Sequence, residues 1–327
     1  MSASADHLKA LVQAHAAGDE ESFYAVTLQV AAKAARQGHN RLASELREMI
    51  DAARAEPLSR LGPSPTPMIR PKGELADLVT ADYPDVRLSE MTLSKSVREA
   101  LDQVLHEQRQ RAELESHGFE PIHRVLLTGP PGTGKSMSAA VLAHELGLPL
   151  FTIRLDGVIS RFMGETSTKL RTVFDAAKQS RAVYLFDEFD AIGAERAAKN
   201  DVGEARRMLN SFLLFLDESP PESLVVAATN HPNLLDRALF RRFDSVVTYD
   251  LPGMKQAGEV VRGRLINMNT TGVEWAEVES HTGELSHAEL VKAAESAAKR
   301  SILAGHQLIT TAALATALDE RRAARRD

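Results

Sequence analysis

The sequence predicts an α/β fold: a parallel sheet flanked by helices, preceded by a small helical bundle and followed by a helical lid. Three observations carry this expectation. From about residue 75, short continuous apolar runs alternate with helical stretches, the pattern of a sheet buried on both faces. One of those runs leads straight into a glycine-rich loop that opens a helix. Beyond residue 253 no strong strand pattern appears, and the chain reads as helices to its end.

Residues 1–55 read as the helical bundle. In "EESFYAVTLQVAAKAARQGH", Phe23, Val26, Val30 and Ala34 share one helical face, and Asp19 can cap its start. Gly38 and Asn40 interrupt it, and Leu42, Leu46, Met49 and Ala53 recur at helical spacing in the next helix. So short a unit makes only a small core. Residues 56–74 form a linker, with five prolines in "EPLSRLGPSPTPMIRPKG".

The core is expected over residues 75–252. Its strands are "RVLLTG" (124–129), "PLFTIRL" (149–155), "AVYLFD" (182–187), "LVVAATN" (224–230) and "SVVTY" (245–249). The lid spans 253–327. Its helices "SHAELVKAAESAAKRSILAG" and "TTAALATALDERRAARR" have Ser286 and either Thr310 or Thr311 as caps.

Composition narrows the function classes. The 327 residues are 43% hydrophobic and 26% charged, and the formal net charge of −6 gives no basic excess for nucleic acid. Without cysteine there is neither a disulfide nor thiolate chemistry. The first residues lack a signal-peptide pattern, and no apolar run is long enough to cross a bilayer, so a cytoplasmic location fits. "HEQRQ" and "HELGL" both lack the second histidine of a zinc-protease motif.

The chemistry concentrates at strand ends. "GPPGTGKS", residues 129–136, is a Walker A pattern after a strand and before a helix. Gly129, Pro130, Pro131, Gly132, Thr133 and Gly134 shape a loop whose N–H groups face phosphate oxygens. Lys135 reaches the β- and γ-phosphates of ATP, and Ser136 offers a hydroxyl to Mg²⁺. "VYLFDEFD" ends the next strand in acids, Asp187 as the Mg²⁺ anchor and Glu188 as the group that polarises water, with Asp190 a capping or structural residue. Asn230 ends a third strand, where its amide can orient the same water. Arg241 and Arg242 follow Leu239 and Phe240 where a neighbouring subunit's γ-phosphate could be met.

Together "GPPGTGKS", "LFDEFDAIG", "VVAATNHPNLLDRALFRRFD" and "RFMGET" resemble the AAA ATPases of the meiotic-clade and protease-associated type, over about residues 80–320. The resemblance implies a homo-oligomeric ring, usually a hexamer, with ATP at subunit interfaces. Lys135 and Ser136 would be its Walker A pair, Asp187 and Glu188 its Walker B pair, and Asn230 its γ-phosphate sensor. Arg241 and Arg242 would be its arginine fingers, adjacent here, with Arg241 favoured as the one acting in trans. "ELSHAEL" resembles the lid motif "GFSGADL"; Ala288 matches the alanine, and His287 and Glu284 replace glycines. Met91 in "RLSEMTLSKSVREAL" would sit against adenine.

Phe162, Met163 and Gly164 match, in order, the triplet that lines the central pore of such rings. The expected function is an ATP-driven ring motor that unfolds, remodels or disassembles protein substrates. A second pore loop over 193–208 is an expectation of the same kind. The other readings are a nucleotide-gated switch or scaffold and, less favoured, a nucleic-acid-associated ATPase. Any protease would be a separate chain, and the N-terminal helices would serve as the adaptor.

Overall fold

The computed structural model describes residues 73–158, 165–190, 202–305 and 308–325, together with 26, 27 and 30. The chain divides into two compact units, residues 1–62 and 63–327, and the description concerns the second. The expected bundle lies outside the described residues except at those three positions, and so does the linker except for its last two residues.

Six strands form one sheet: β1 (Val79–Asp82), β2 (Arg124–Thr128), β3 (Leu150–Ile153), β4 (Val183–Phe186), β5 (Leu224–Thr229) and β6 (Ser245–Thr248). Their order across the sheet is β1-β3-β4-β5-β2-β6. β3, β4, β5, β2 and β6 run parallel, and β1 joins the edge antiparallel to β3. The five expected strands are present, each shorter by one to three residues. β1 was not legible in the sequence: "VTAD" is four residues long, half-exposed, and gives no apolar run.

The helices that flank the sheet and frame the site are α1 (Lys95–Arg109), α2 (Lys135–Leu146), α3 (Glu165–Gln179), α4 (Val202–Asp217) and the short α5 (Arg237–Phe240). Alternation along the buried strands assigns each side chain to a face. Leu126, Tyr184, Phe186, Val225 and Ala227 pack with Phe174 of α3 and Phe212 of α4. Val125, Leu127, Leu185, Val226 and Val247 pack with Leu101 of α1 and Leu142 of α2. This two-sided burial explains why the central strands read as continuous apolar runs.

The lid comprises α6 (Met254–Arg264), α7 (Trp275–Ser280), α8 (His287–Leu303) and α9 (Thr311–Ala323), around a core that includes Val261, Val278, Leu290, Ala294 and Leu318. Ser286 caps α8 through a full capping box with Glu289, and Thr310 caps α9. Among the described residues, no helix is long and apolar enough to cross a membrane.

Candidate functional site

The site is built where β2, β4 and β5 end side by side. β2 runs into the loop 129–134, and α2 begins at Lys135. Gly129 has φ +139°, and a Cβ there would stand 2.1 Å from the Tyr249 carbonyl oxygen, so glycine alone fits. Thr133 donates its hydroxyl to the Pro130 carbonyl at 2.8 Å, which tightens the turn. The Lys135 Nζ donates to the carbonyls of Gly129 and Pro130, each at 2.7 Å. Burial pushes the Lys135 ammonium below its usual pKa, and the Asp187 and Asp190 carboxylates oppose that shift.

β4 delivers its acids in a sharp turn. The Asp187 Oδ2 accepts a 2.6 Å hydrogen bond from the Ser136 hydroxyl, which joins the end of β4 to the first turn of α2. Glu188 has φ +50°, a left-handed conformation uncommon outside glycine, and its N–H donates to the Asp187 Oδ1 at 2.9 Å. The strained turn leaves Glu188 exposed between a neighbour directed at the loop and Phe189, which is fully buried against Phe212. Phe189 N–H also donates to the Ala228 carbonyl of β5 at 2.8 Å. Asp190 accepts from the Thr229 hydroxyl at 3.1 Å and from the Asn230 N–H at 3.2 Å. It thereby locks the end of β5, where Asn230 sits, to the acid turn.

Met91 and the lid close over the loop. Met91 is buried, and a Cβ on Gly134 would lie 3.1 Å from its Cε. The Ala288 N–H donates to the Gly132 carbonyl at 3.0 Å. Gly132 has φ +74°, and a Cβ on it would meet the Ser286 Oγ at 2.7 Å. The first turn of α8 therefore rests directly on the phosphate-loop pattern. Tyr249, beyond β6, ties the other side: its hydroxyl donates to the Ser138 Oγ of α2 at 2.6 Å, and burial raises its pKa to about 12. The sequence pattern gave no signal for this tyrosine beyond a strand end.

The two arginines diverge. Arg242 forms an ion pair with Asp217, the last residue of α4 in the same chain. Arg241 is exposed and has no ion-pair partner among the described residues. Asp244 accepts from the Arg124 Nη2 at 2.7 Å and from the backbone N–H groups of His123 at 3.2 Å and Arg124 at 2.9 Å. Phe162, Met163 and Gly164 lie outside the described residues, as does most of the expected second pore loop.

The loop, the paired Ser136 and Asp187, and the strained acid beside them make a chamber suited to a polyphosphate and a divalent cation. Comparison with known proteins agrees. The family described as "ATPase family associated with various cellular activities (AAA)" matches residues 125–251. The chain is 35% identical to an uncharacterized AAA family ATPase, y4kL, of Sinorhizobium fredii, over 77% of this chain and 76% of that one. It is 36% identical to the proteasome-activating nucleotidase of Thermococcus onnurineus, over 58% of this chain and 52% of that protein. It is 32% identical to the ATP-dependent zinc metalloprotease FtsH of Helicobacter felis, over 71% of this chain and 38% of that protein. In fold it is similar to the crystal structure of the FIGL-1 AAA domain, with a TM-score of 0.60 at 22% identity, covering 76% of this chain and 89% of that one. The chain belongs to the AAA family of ATP-hydrolysing enzymes.

Proposed function

We propose that this chain is a subunit of a homo-oligomeric ring, of hexameric type, that hydrolyses ATP at sites shared between neighbours and uses the cycle to pull on protein substrates. One observation carries the catalytic part: the 2.6 Å bond that sets Ser136 against Asp187, with Lys135 buried beside them and Glu188 held one residue further on. In this reading the loop N–H groups and Lys135 hold the phosphates of ATP. Ser136 and Asp187 would hold Mg²⁺, which when bound supplies charge neutralisation at the phosphates. Glu188 orients and polarises the attacking water, and Asn230 positions it from the end of β5. Asp190 is a positioning residue, since it fixes Asn230 to the acid turn.

Arg241 is assigned as the trans finger, because its guanidinium is exposed while Arg242 is held within its own chain. Phe162, Met163 and Gly164 are assigned to the pore, where an aromatic ring wedges against an extended polypeptide without reading its sequence. The chain spans about half of the proteasome-activating nucleotidase and 38% of FtsH, so partnership with a separate protease or adaptor is part of the proposal.

The catalytic assignment is tested by Glu188→Gln. The variant keeps ATP affinity, and its phosphate release falls by orders of magnitude, because the cradle stays while the water loses its base. Turnover near that of the wild type would remove Glu188 from the mechanism.

A further inference from the structure

His287 is the first residue of α8, next to the Ala288 N–H that rests on Gly132. Both of its ring nitrogens are shielded from solvent, and neither makes a hydrogen bond. Its ring approaches the Thr92 backbone. A buried polar group without a partner is uncommon and costs free energy, and the usual remedy is a ligand or an ordered water. The ring faces a recess of about 30 Å³ whose walls include Leu93, Val97, Thr133, Tyr249 and Leu251.

The place and chemistry of this recess identify its ligand. Thr133 belongs to the phosphate-loop pattern, so the recess adjoins the loop that would hold a polyphosphate. It is not a phosphate site: Leu93, Val97, Tyr249 and Leu251 are apolar or aromatic, and Asp250, also in the wall, would repel an anion. Apolar walls with one donor–acceptor group suit a flat heteroaromatic ring. A neutral imidazole can donate to a ring nitrogen of a base or accept from an exocyclic amine. The present volume is about the share of one water molecule, so a base enters only as the imidazole and the first turn of α8 shift.

We propose that His287 contacts the base of the bound nucleotide, and so couples occupancy of the base to the seating of the lid on the phosphate loop. This rests on the nucleotide reading above. His287 acts by binding and positioning; it takes no part in the bond cleavage.

The test measures binding without turnover, on the full chain. ADP, GDP and inorganic tripolyphosphate are titrated calorimetrically into the wild type, His287→Ala and His287→Gln. The proposal expects His287→Ala to lose about three- to tenfold in ADP affinity, the scale of one net hydrogen bond. Its preference for ADP over GDP falls, tripolyphosphate affinity is unchanged, and His287→Gln recovers part of the loss. The melting temperature of His287→Ala stays within a few degrees of the wild type, since neither ring nitrogen bonds into the fold. If His287→Ala fails to fold, the Gln variant alone decides, by a shift in the ADP-to-GDP ratio. Unchanged ADP affinity and ratio would overturn the proposal, and so would an equal loss for ADP and tripolyphosphate, which marks a merely structural role. Failure of the underlying nucleotide reading looks different: wild type and Lys135→Ala would then bind ADP equally poorly.

Discussion

Arg242 and Asp217 are ion-paired within one chain, across the gap between the C-terminus of α4 and the turn that follows α5. A carboxylate at a helix C-terminus sits at the negative end of the helix dipole, and the guanidinium offsets that cost. Two residues on, Asp244 holds Arg124 at the start of β2, and Phe243 between them is buried. The turn is thus anchored on both sides, and Arg241 is the arginine that it leaves exposed.

Arg242 then acts through the turn, by holding Arg241 in place. Arg241→Ala is expected to lower ATPase by about a thousandfold or more, the scale of a lost finger. Arg242→Ala and Asp217→Ala should have smaller, similar effects, with melting temperatures little changed because half-exposed pairs contribute about 0–1 kcal/mol. The charge-swapped double variant Asp217→Arg with Arg242→Asp should regain most of the activity. If the swap is as inactive as Arg241→Ala while each variant folds normally, Arg242 itself touches the phosphate.

Gly132→Ala tests the seat of the lid. The new Cβ would be strained at φ +74° and would meet Ser286. Nucleotide affinity should fall at least tenfold, and a larger volume for the isolated subunit by small-angle scattering would report a displaced lid. An unchanged affinity would mean that α8 does not bear on the nucleotide.

Acid should release the anchor at Asp244. Burial alone would raise its pKa, but the bonds from Arg124 and His123 outweigh it and hold the carboxyl below the usual range. A depressed carboxylate stabilises the fold above the unfolded value of about 3.9 and loses that contribution as pH falls through the folded value. Asp244→Asn should therefore melt clearly below the wild type at pH 7, and the two should converge below about pH 4. A gap that stays constant across that window would show that the carboxylate charge contributes nothing.

Much of this arrangement was legible beforehand because its signals are local. A strand buried on both faces writes itself as an apolar run, and the phosphate loop requires glycines at fixed offsets from a lysine. β1 was illegible because an edge strand of four residues needs no apolar run. Asp217, Tyr249 and Asp244 were illegible for another reason: each acts on a partner far away in sequence. Tyr249 meets Ser138, and Asp244 meets Arg124. The capping role foreseen for Asp190 is the one it performs, on the end of β5 rather than on its own turn.

Phe162→Ala addresses the pore. It should leave the melting temperature and basal ATPase unchanged while abolishing substrate-stimulated unfolding. A Phe buried in a core would instead cost about 3–5 kcal/mol on truncation. A large drop in melting temperature would place Phe162 in the packing of its own subunit.

The central claim, that each ATP is hydrolysed by residues from two subunits, is tested most directly by mixing Lys135→Ala with Arg241→Ala. Each variant alone should be close to inactive. In mixed rings, an interface that joins an intact phosphate loop from the Arg241→Ala chain to an intact Arg241 from the Lys135→Ala chain is complete. Phosphate release should therefore rise well above either parent and peak near equal proportions. Activity at background for every ratio, with subunit exchange demonstrated by fluorescence transfer, would contradict the shared site.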